Sequence, residues 1–565
     1  MINKFILVGL SLLLCYFLML AFLTIRAFQE VDKGNWQSAA KYGQNIVTST
    51  EWLELICGQC NQSVLTPVVA IRRGGKILAE TSRFLEKGQL IFQASLQNQP
   101  EIVQAQWQDF QTDGLDLLTQ LNDFQTTINQ LKLPILKRTQ LLMAVIWENN
   151  QVIKKSLILF PRLIGLEDQD EKVYTLILQN DKELRPTGGF MGSYLQLHFK
   201  QGALINYSVE DIYVPDGAIV GHISPPPPIQ QAFQHGTWQL PNTNWDPDFP
   251  TAVKTISWFF DKGGVEVGKG MIALNFQVIE DLLGVIGKVY VPDYQTSITS
   301  DNLYAITQYE TERDFFPGST QKKEFLQHLA DSLLFQNQEI SYQQLFSMAA
   351  IVHRHLQQRN IQFHFEDQDL QKLVKETGWS GEIIWPQLAN QLQDYLFIVD
   401  ANLGANKANC CIIRQVVQEV REREEIYDIN LKISYINQSP TERPKPPKHW
   451  GGNYKNYLRI LLPSLAKIQA IQIGADSLNQ SSITVKSKPT QDLQSIGFFV
   501  NVPYLEQKEV EVKYILPKNK DPKRYQLFIQ KQSGINYWHT IKYQVLDGAI
   551  QETKRWVDQD QWISF

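Results

Sequence analysis

From residue 421 onward the chain is written in short alternating runs. ISYIN, YLRILLP, KIQAIQIG, SITVKS, IGFFVNV, VEVKYILP, YQLFIQK and TIKYQVL place apolar and polar residues in turn, and turn-forming residues separate them. A period of two sends one side of each strand into a core and the other to water. Many such strands in succession leave little choice but two packed sheets. Residues 421–565 therefore predict a β-sandwich. The stretch NQSPTERPKPPKHWGGN (437–453) reads as a basic, proline-rich loop between two early strands.

The preceding part, 168–420, alternates differently. VYTLIL, SYLQLHF, ALINYSVEDI and KVYVP read as strands, while TAVKTISWFF, NFQVIEDLLGVIG and KKEFLQHLADSLLF carry apolar residues at helical spacing. Strands interleaved with helices predict an α/β sandwich. Four consecutive prolines, Pro225–Pro228, argue against helix or ladder pairing in the long loop they occupy. Asp246 or Thr251 is placed to cap TAVKTISWFF, with Pro250 in its first turn. YLFIVDANLGANKANCCIIRQVVQEV closes this region as two strands around a polar connection.

Residues 30–165 read as a helical stalk or bundle. Leu117, Leu118, Leu121, Phe124, Ile128 and Leu131 line one helix face. At the start, FILVGLSLLLCYFLMLAFLTI (Phe5–Ile25) is 21 residues without a charge. That length crosses a hydrocarbon core as a helix, and the stretch lacks a small-x-small cleavage site, so it predicts a transmembrane signal anchor with residues 30–565 outside the membrane. In an exported chain, Cys57 and Cys60 of CGQC are suited to a local disulfide, with buried thiols the other reading; the remaining cysteines are Cys15 and the adjacent pair Cys410 and Cys411. The 53 basic and 58 acidic residues nearly balance, which gives no electrostatic case for nucleic acid.

Three loop segments carry the residue types that chemistry needs. NDKELRPTGG holds Arg185, a planar fork of donors suited to carboxylate or phosphate, beside Gly188 and Gly189, which permit close backbone approach to a ligand. The structural alternative is a glycine bulge with Arg185 paired to Asp181 or Glu183. A second set, Asp211, Asp216, Asp246 and Asp248 with Asn242 and Asn244, offers the hard oxygens that Mg²⁺ or Ca²⁺ prefers, though Asp and Asn also close turns. In the third, Lys407 and Arg414 join Arg185 as a possible cation set for pyrophosphate, or else are strand-end charges in solvent. G-x-S-x-G, H-E-x-x-H and the Walker, kinase and Rossmann fingerprints are all absent.

Together LILQNDKELRPTGGFMGSY, NTNWDPDFP and VDANLGANKANCCIIR followed by NYLRILLP resemble the bacterial domain-of-unknown-function family 4012, over about 170–465. That family is remotely similar to the LytR-CpsA-Psr domain. The resemblance implies a LytR-CpsA-Psr-like α/β sandwich in an anchored envelope protein. It also implies a phosphotransferase that moves a glycopolymer from polyprenyl pyrophosphate to an envelope acceptor. Arg185, Lys407 and Arg414 would then contact pyrophosphate, with Gly188, Gly189 and Asn244 lining the site. Asp181 and Asp211 would serve catalysis, and Asp211 and Asp246 would hold Mg²⁺. Two departures weigh the other way. Met191-Gly192-Ser193 stands where the relative has Arg-Ser-Asp, and Val209-Glu210-Asp211 keeps one residue of Pro-Arg-Asp. They point to the second expectation, a non-catalytic envelope glycan- or partner-binding protein with a degenerate site.

Overall fold

The computed structural model describes residues 35–56, 62–130, 137–167, 170–312, 321–335, 341–384, 394–444, 450–479, 483–488, 492–518, 525–546 and 548–565, with a few positions between 19 and 33. The chain divides into two compact units. The first comprises 1–172, 198–206 and 337–348; the second comprises 173–197, 207–336 and 349–565.

The first unit is built on four helices, α1 (Trp36–Ile56), α2 (Gln62–Leu96), α3 (Pro100–Gln130) and α4 (Lys137–Leu163). Consecutive helices pack on each other. The approach of α1 to α2 runs through a glycine pair. A Cβ on Gly43 would lie 2.5 Å from the Gly75 carbonyl oxygen, so no larger residue fits that crossing. The expected apolar stripe is seen at Leu117, Leu118 and Ile128, all buried. Leu131 lies outside the described residues, as do Cys57 and Cys60.

The expected membrane-spanning helix is corrected. Among the described residues no helix is long and apolar enough to cross a membrane, and most of Phe5–Ile25 lies outside them. The long helices that are described alternate polar and apolar positions in the manner of helices packed on one another, not of lipid-facing ones.

A five-stranded mixed sheet begins with β1 (Lys172–Asn180), β2 (Phe190–Lys200) and β3 (Ala203–Asp211). Then follow α5 (Tyr213–Ala218), α6 (Pro227–Phe233), α7 (Phe249–Lys262), β4 (Gly270–Asn275), α8 (Phe276–Ile286), the small β5–β6 ribbon (Val289–Val291, Thr296–Ile298), α9 (Leu303–Glu312), α10 (Gln321–Phe335), α11 (Tyr342–Gln357), β7 (Ile361–Phe365) and α12 (Gln368–Glu376). The strand order is β3-β2-β1-β4-β7. β1 and β4 run parallel with Gln179 opposite Asn275, and β7 runs antiparallel to β4. One edge of the sheet thus collects the carboxyl ends of β1 and β4 and the start of β7. Helix α6 departs from expectation, because it begins inside the proline run. Pro227 and Pro228 occupy its first turn, where a missing N–H costs nothing. The cap of α7 is Asp248, whose side chain accepts from Thr251 N, with Pro250 in the first turn.

The rest of the second unit is a sandwich. The strands from β8 (Asp394–Val399), β9 (Ile412–Glu422), β10 (Ile426–Asn437) and β11 (Tyr454–Pro463) to β17 (Gln526–Gln530), β18 (Tyr537–Gln544), β19 (Ile550–Val557) and β20 (Gln561–Ser564) form two sheets. One is ordered β13-β12-β16-β10-β9-β18-β19, where β12, β13 and β16 are Lys467–Ile473, Asp476–Ser477 and Gln507–Pro517. The other is ordered β14-β15-β11-β8-β17-β20, where β14 and β15 are Thr484–Lys488 and Leu493–Val502. Inward residues of both sheets share one core, including Leu396, Ile398, Val416, Ile433, Leu458, Phe498, Val512 and Ile541.

This corrects the expected fold class in a second respect. β8 and nearly all of β9 fall within the 168–420 span expected as the α/β sandwich and instead belong to the sheets of the β-sandwich. The reason is visible in DYLFIV: all six residues are buried. A strand covered on both faces reads as a continuous apolar run whether it sits mid-way in an α/β sheet or in a sandwich.

Candidate functional site

β1 ends at Asn180, and the chain makes a compact turn rather than an open loop. Lys182 N donates to Asn180 Oδ1, Glu183 N to Asn180 O, and Phe190 N to Glu183 O. Arg185 is fixed inside it, 2% exposed. Its Nε and Nη2 donate to Asn242 Oδ1 at 3.1 and 3.0 Å. Nη2 also donates to Glu183 Oε1 at 3.0 Å, and Nη1 to the carbonyls of Leu184 and Asn402 at 3.2 and 2.6 Å. Those contacts use every N–H a guanidinium has. The expected ligand contact is therefore a buried strut between β1, the 240–246 loop and the start of the sandwich, and its partner is Glu183.

Asn244 is equally internal. Its Nδ2 donates to Thr187 Oγ1 at 2.9 Å and to the Gly189 carbonyl at 2.8 Å. Gln179 Oε1, from inside β1, accepts from Thr187 Oγ1 and Gly189 N. The glycines are explained by the same crowding. Gly188 has φ +137°, and a Cβ there would lie 2.5 Å from both Asn275 Oδ1 and Ser533 Oγ. A Cβ on Gly189 would meet the Asn180 backbone at 2.4 Å.

Residues 169–311 match the model of the family described as Protein of unknown function (DUF4012). This stretch is similar to that family and is called the DUF4012 region. It covers β1 through most of α9, including Arg185, Asn242 and Asn244. No curated protein matches the chain. Among solved structures, an M1 zinc metallopeptidase from Deinococcus radiodurans, solved with a Tyr-Ser-Ala substrate, is similar at 9% identity and a TM-score of 0.16. The match spans 28% of this chain and 39% of that one, and carries no argument about fold or activity.

The other predicted residues of the DUF4012 region do not converge. Asp211 ends β3, far along the sheet order from β4, and its Oδ1 accepts from Tyr213 N at 3.0 Å beside Lys322 Nζ at 3.6 Å. Asp246 Oδ1 accepts from Asp248 N at 2.9 Å. Both are turn-closing acids, and an ammonium already balances the first. That set does not fit Mg²⁺, which demands several oxygens in near-octahedral array. Among the described residues no group of three or more His, Cys, Asp or Glu is arranged to hold a metal ion.

Beyond the DUF4012 region, Arg414 is buried in the sandwich. Its Nη1 donates to Asp400 Oδ2 at 2.9 Å, and its guanidinium stacks 4.2 Å from the Tyr537 ring centroid. Asp400 also accepts from Tyr435 Oη and Asn456 Nδ2. Lys407 is partly exposed just before the 408–411 turn, which carries a disulfide between the adjacent Cys410 and Cys411. Arg414 Nε and Nη2 have no hydrogen-bond partner among the described residues but are buried in the sandwich, and Arg185 has no donor left over, so Arg185, Lys407 and Arg414 do not present one open set of donors.

Two groups of residues were missed. The first is the QKQSG loop after β17. Gln532 Nε2 donates to the carbonyls of Arg185 and Asp400, and Asp400 N donates back to Gln532 Oε1. Asn275 Nδ2 donates to Ser533 Oγ, and Gly534 N to Asn360 Oδ1. This loop lies across the carboxyl ends of β1 and β4, the place where open α/β sheets bind ligands. Beside it Lys531 is fully buried, its Nζ donating to the Gln358 carbonyl at 2.8 Å. Burial pulls its pKa down to about 7, with Asp560 opposing. The second group is Glu280, on α8, and Tyr304, on α9, which face Asp181 and Lys182. Burial raises the Glu280 carboxyl, offset by Lys182. Nothing in a surface-loop pattern marks either group, since both lie far in sequence from the motifs.

Proposed function

We propose that this protein is a cell-envelope protein that binds a glycan or an envelope partner through its second unit without turning it over. The envelope assignment rests on the family resemblance. The observation that carries the binding reading is the closure of the strand ends. Every N–H of Arg185 is spent on Glu183, Asn242, Leu184 and Asn402, and Gln532, Ser533 and Gly534 cover the edge where a phosphate-transfer site would open. Phosphoryl transfer depends on free cations or a metal to take up developing charge. Of the acids expected to help, Asp211 and Asp246 close turns, Asp211 also faces Lys322, and Asp181 is paired with Lys182.

The test uses the purified full chain with isolated envelope polysaccharide and, separately, with a polyprenyl-pyrophosphate-linked glycan. The expected result is polysaccharide binding that persists in Asp211→Asn and Asp246→Asn, with no polyprenyl phosphate released from the lipid. Release by the wild type, abolished in either variant, would refute the reading in favour of the transferase.

A further inference from the structure

The carboxyl end of β1 has a second side, away from Arg185. There Asp181 and Lys182 face α8 and α9. Asp181 is 5% exposed; its Oδ2 lies 3.4 Å from Lys182 Nζ, and its Oδ1 is buried without a hydrogen-bond partner among the described residues. Lys182 is held in its charged form against burial by Asp181, Glu280 and Asp281. Asp281 is otherwise engaged, by Arg354 Nη2 at 2.5 Å and His355 Nε2 at 3.0 Å.

Helix α9 turns an unusual face toward this place. Leu303 and Ile306 pack into an apolar cluster with Leu283 and Phe325, as an amphipathic helix should. Tyr304, Thr307, Gln308 and Thr311 follow the i, i+3, i+4, i+7 spacing of a different face. Thr307, Gln308 and Thr311 are buried as well, at 5, 7 and 7% exposure. Among the described residues Thr307 Oγ1 and Gln308 Oε1 have no hydrogen-bond partner. Tyr304 places that face beside the strand ends: its ring packs on Phe276, the residue that follows β4, and burial pushes its phenol well up, with Asp181, Glu183 and Glu280 adding to the shift. Its ring stands 5.9 Å from Trp450 and 5.5 Å from Phe276.

Buried polar atoms are almost always bonded, so the orphans around this junction among the described residues, Asp181 Oδ1, Tyr304 Oη, Thr307 Oγ1 and Gln308 Oε1, ask for a partner. The chemistry narrows what it is. Asp181 and Glu280 repel an anion. The Lys182 ammonium repels a cation, and with Asp181 and Glu280 both balanced by that ammonium the remaining oxygens are too few for the about six that a hard cation takes. What remains is a neutral molecule rich in hydroxyls, with apolar ring faces for Tyr304 and Trp450. We propose that the junction between the carboxyl end of β1 and the polar face of α9 binds a neutral sugar residue, its hydroxyls bonded to Asp181, Thr307 and Gln308 and its ring face set against Tyr304 and Trp450. This deepens, and rests on, the glycan-binding reading above.

The test takes the full chain with methyl glucoside, methyl galactoside, methyl mannoside and N-acetylglucosamine, read by saturation-transfer NMR and calorimetric titration. Thr307→Val and Gln308→Leu remove the orphan atoms at near-constant volume, and Asp181→Asn keeps the shape of the carboxylate. At least one sugar is expected to bind the wild type. The three variants are expected to bind it at least roughly tenfold more weakly. The melting temperatures of the Thr307 and Gln308 variants are expected not to fall, since an orphan polar atom is replaced by an apolar one. Equal sugar binding in all three variants overturns the proposal. So does protection of the wild type by Ca²⁺ or phosphate in place of any sugar. Binding of envelope polysaccharide without any of the small sugars overturns this site and leaves the wider reading standing. Failure of both removes both.

Discussion

Replacing Arg185 by Met tests whether the guanidinium is a strut. The substitution keeps an unbranched chain and removes all five donors. It strands the Glu183 carboxylate, 11% exposed in its side chain, together with Asn242 Oδ1 and the carbonyls of Leu184 and Asn402. Removing one partner of a buried ion pair costs about 3–5 kcal/mol, and each orphaned neutral acceptor adds about 1 kcal/mol or more, not additively. A loss of about 4 kcal/mol lowers the melting transition of a unit this size by on the order of 5 °C. Scanning calorimetry of the full chain should show that shift in one transition only, since the first unit contains none of these residues. Arg185→Lys should recover only part of it, because an ammonium cannot reach Glu183, Asn242 and Asn402 from one point. A cycle with Glu183→Gln should give a coupling of about 1.5 kcal/mol or more. Melting of Arg185→Met within a degree of the wild type would refute the strut and return Arg185 to the pool of free cations.

Other expectations follow from neighbouring contacts. Gly188→Ala forces a Cβ against Asn275 and Ser533 at positive φ, and should destabilise by about 2 kcal/mol or more in chemical denaturation. Asp248→Ala removes the cap on Thr251 N and the bond from Ile383 N at 2.8 Å, and should cost about 1–3 kcal/mol by the same measurement. Lys531, at about 7 in the fold and about 10.4 when unfolded, leaves the unfolded chain binding the extra proton between those values. Stability should therefore rise with pH across that window, by at most about 1.4 kcal/mol per unit. Lys531→Met should flatten that part of a melting-temperature profile taken from pH 6 to 10, and an unchanged slope would contradict the burial argument.

The period-two runs after 421 and the interleaved elements before 390 were legible because each follows from local side-chain alternation. β8 was not, since DYLFIV is buried on both faces and one of its two neighbours, β17, begins only at Gln526. Arg185 stood out in the sequence as a charged residue between glycines. Whether its donors face a ligand or Asn242 and Asn402 depends on where two distant loops land, and no spacing rule carries that. Among the alternatives, the pairing with Glu183 was the one the fold adopts. The polar face of α9 was hidden for the opposite reason: Thr and Gln at helical spacing look like an exposed face until burial is known.

The sandwich is completed from its far end. β17 joins β8 in parallel, with Leu527 opposite Asp394, and β18 joins β9 in parallel, with Trp538 opposite Gln415. Until those strands emerge from the ribosome, β8 and β9 each present an unpaired border, and that of β8 is flanked by buried apolar residues. The same late segment brings Gln532 and Ser533 to the strand ends of the mixed sheet. Maturation of the second unit is thus gated by synthesis of the segment from Gln526 onward. Nascent chains stalled before residue 526 should depend on holding chaperones, while the four-helix unit folds ahead of them.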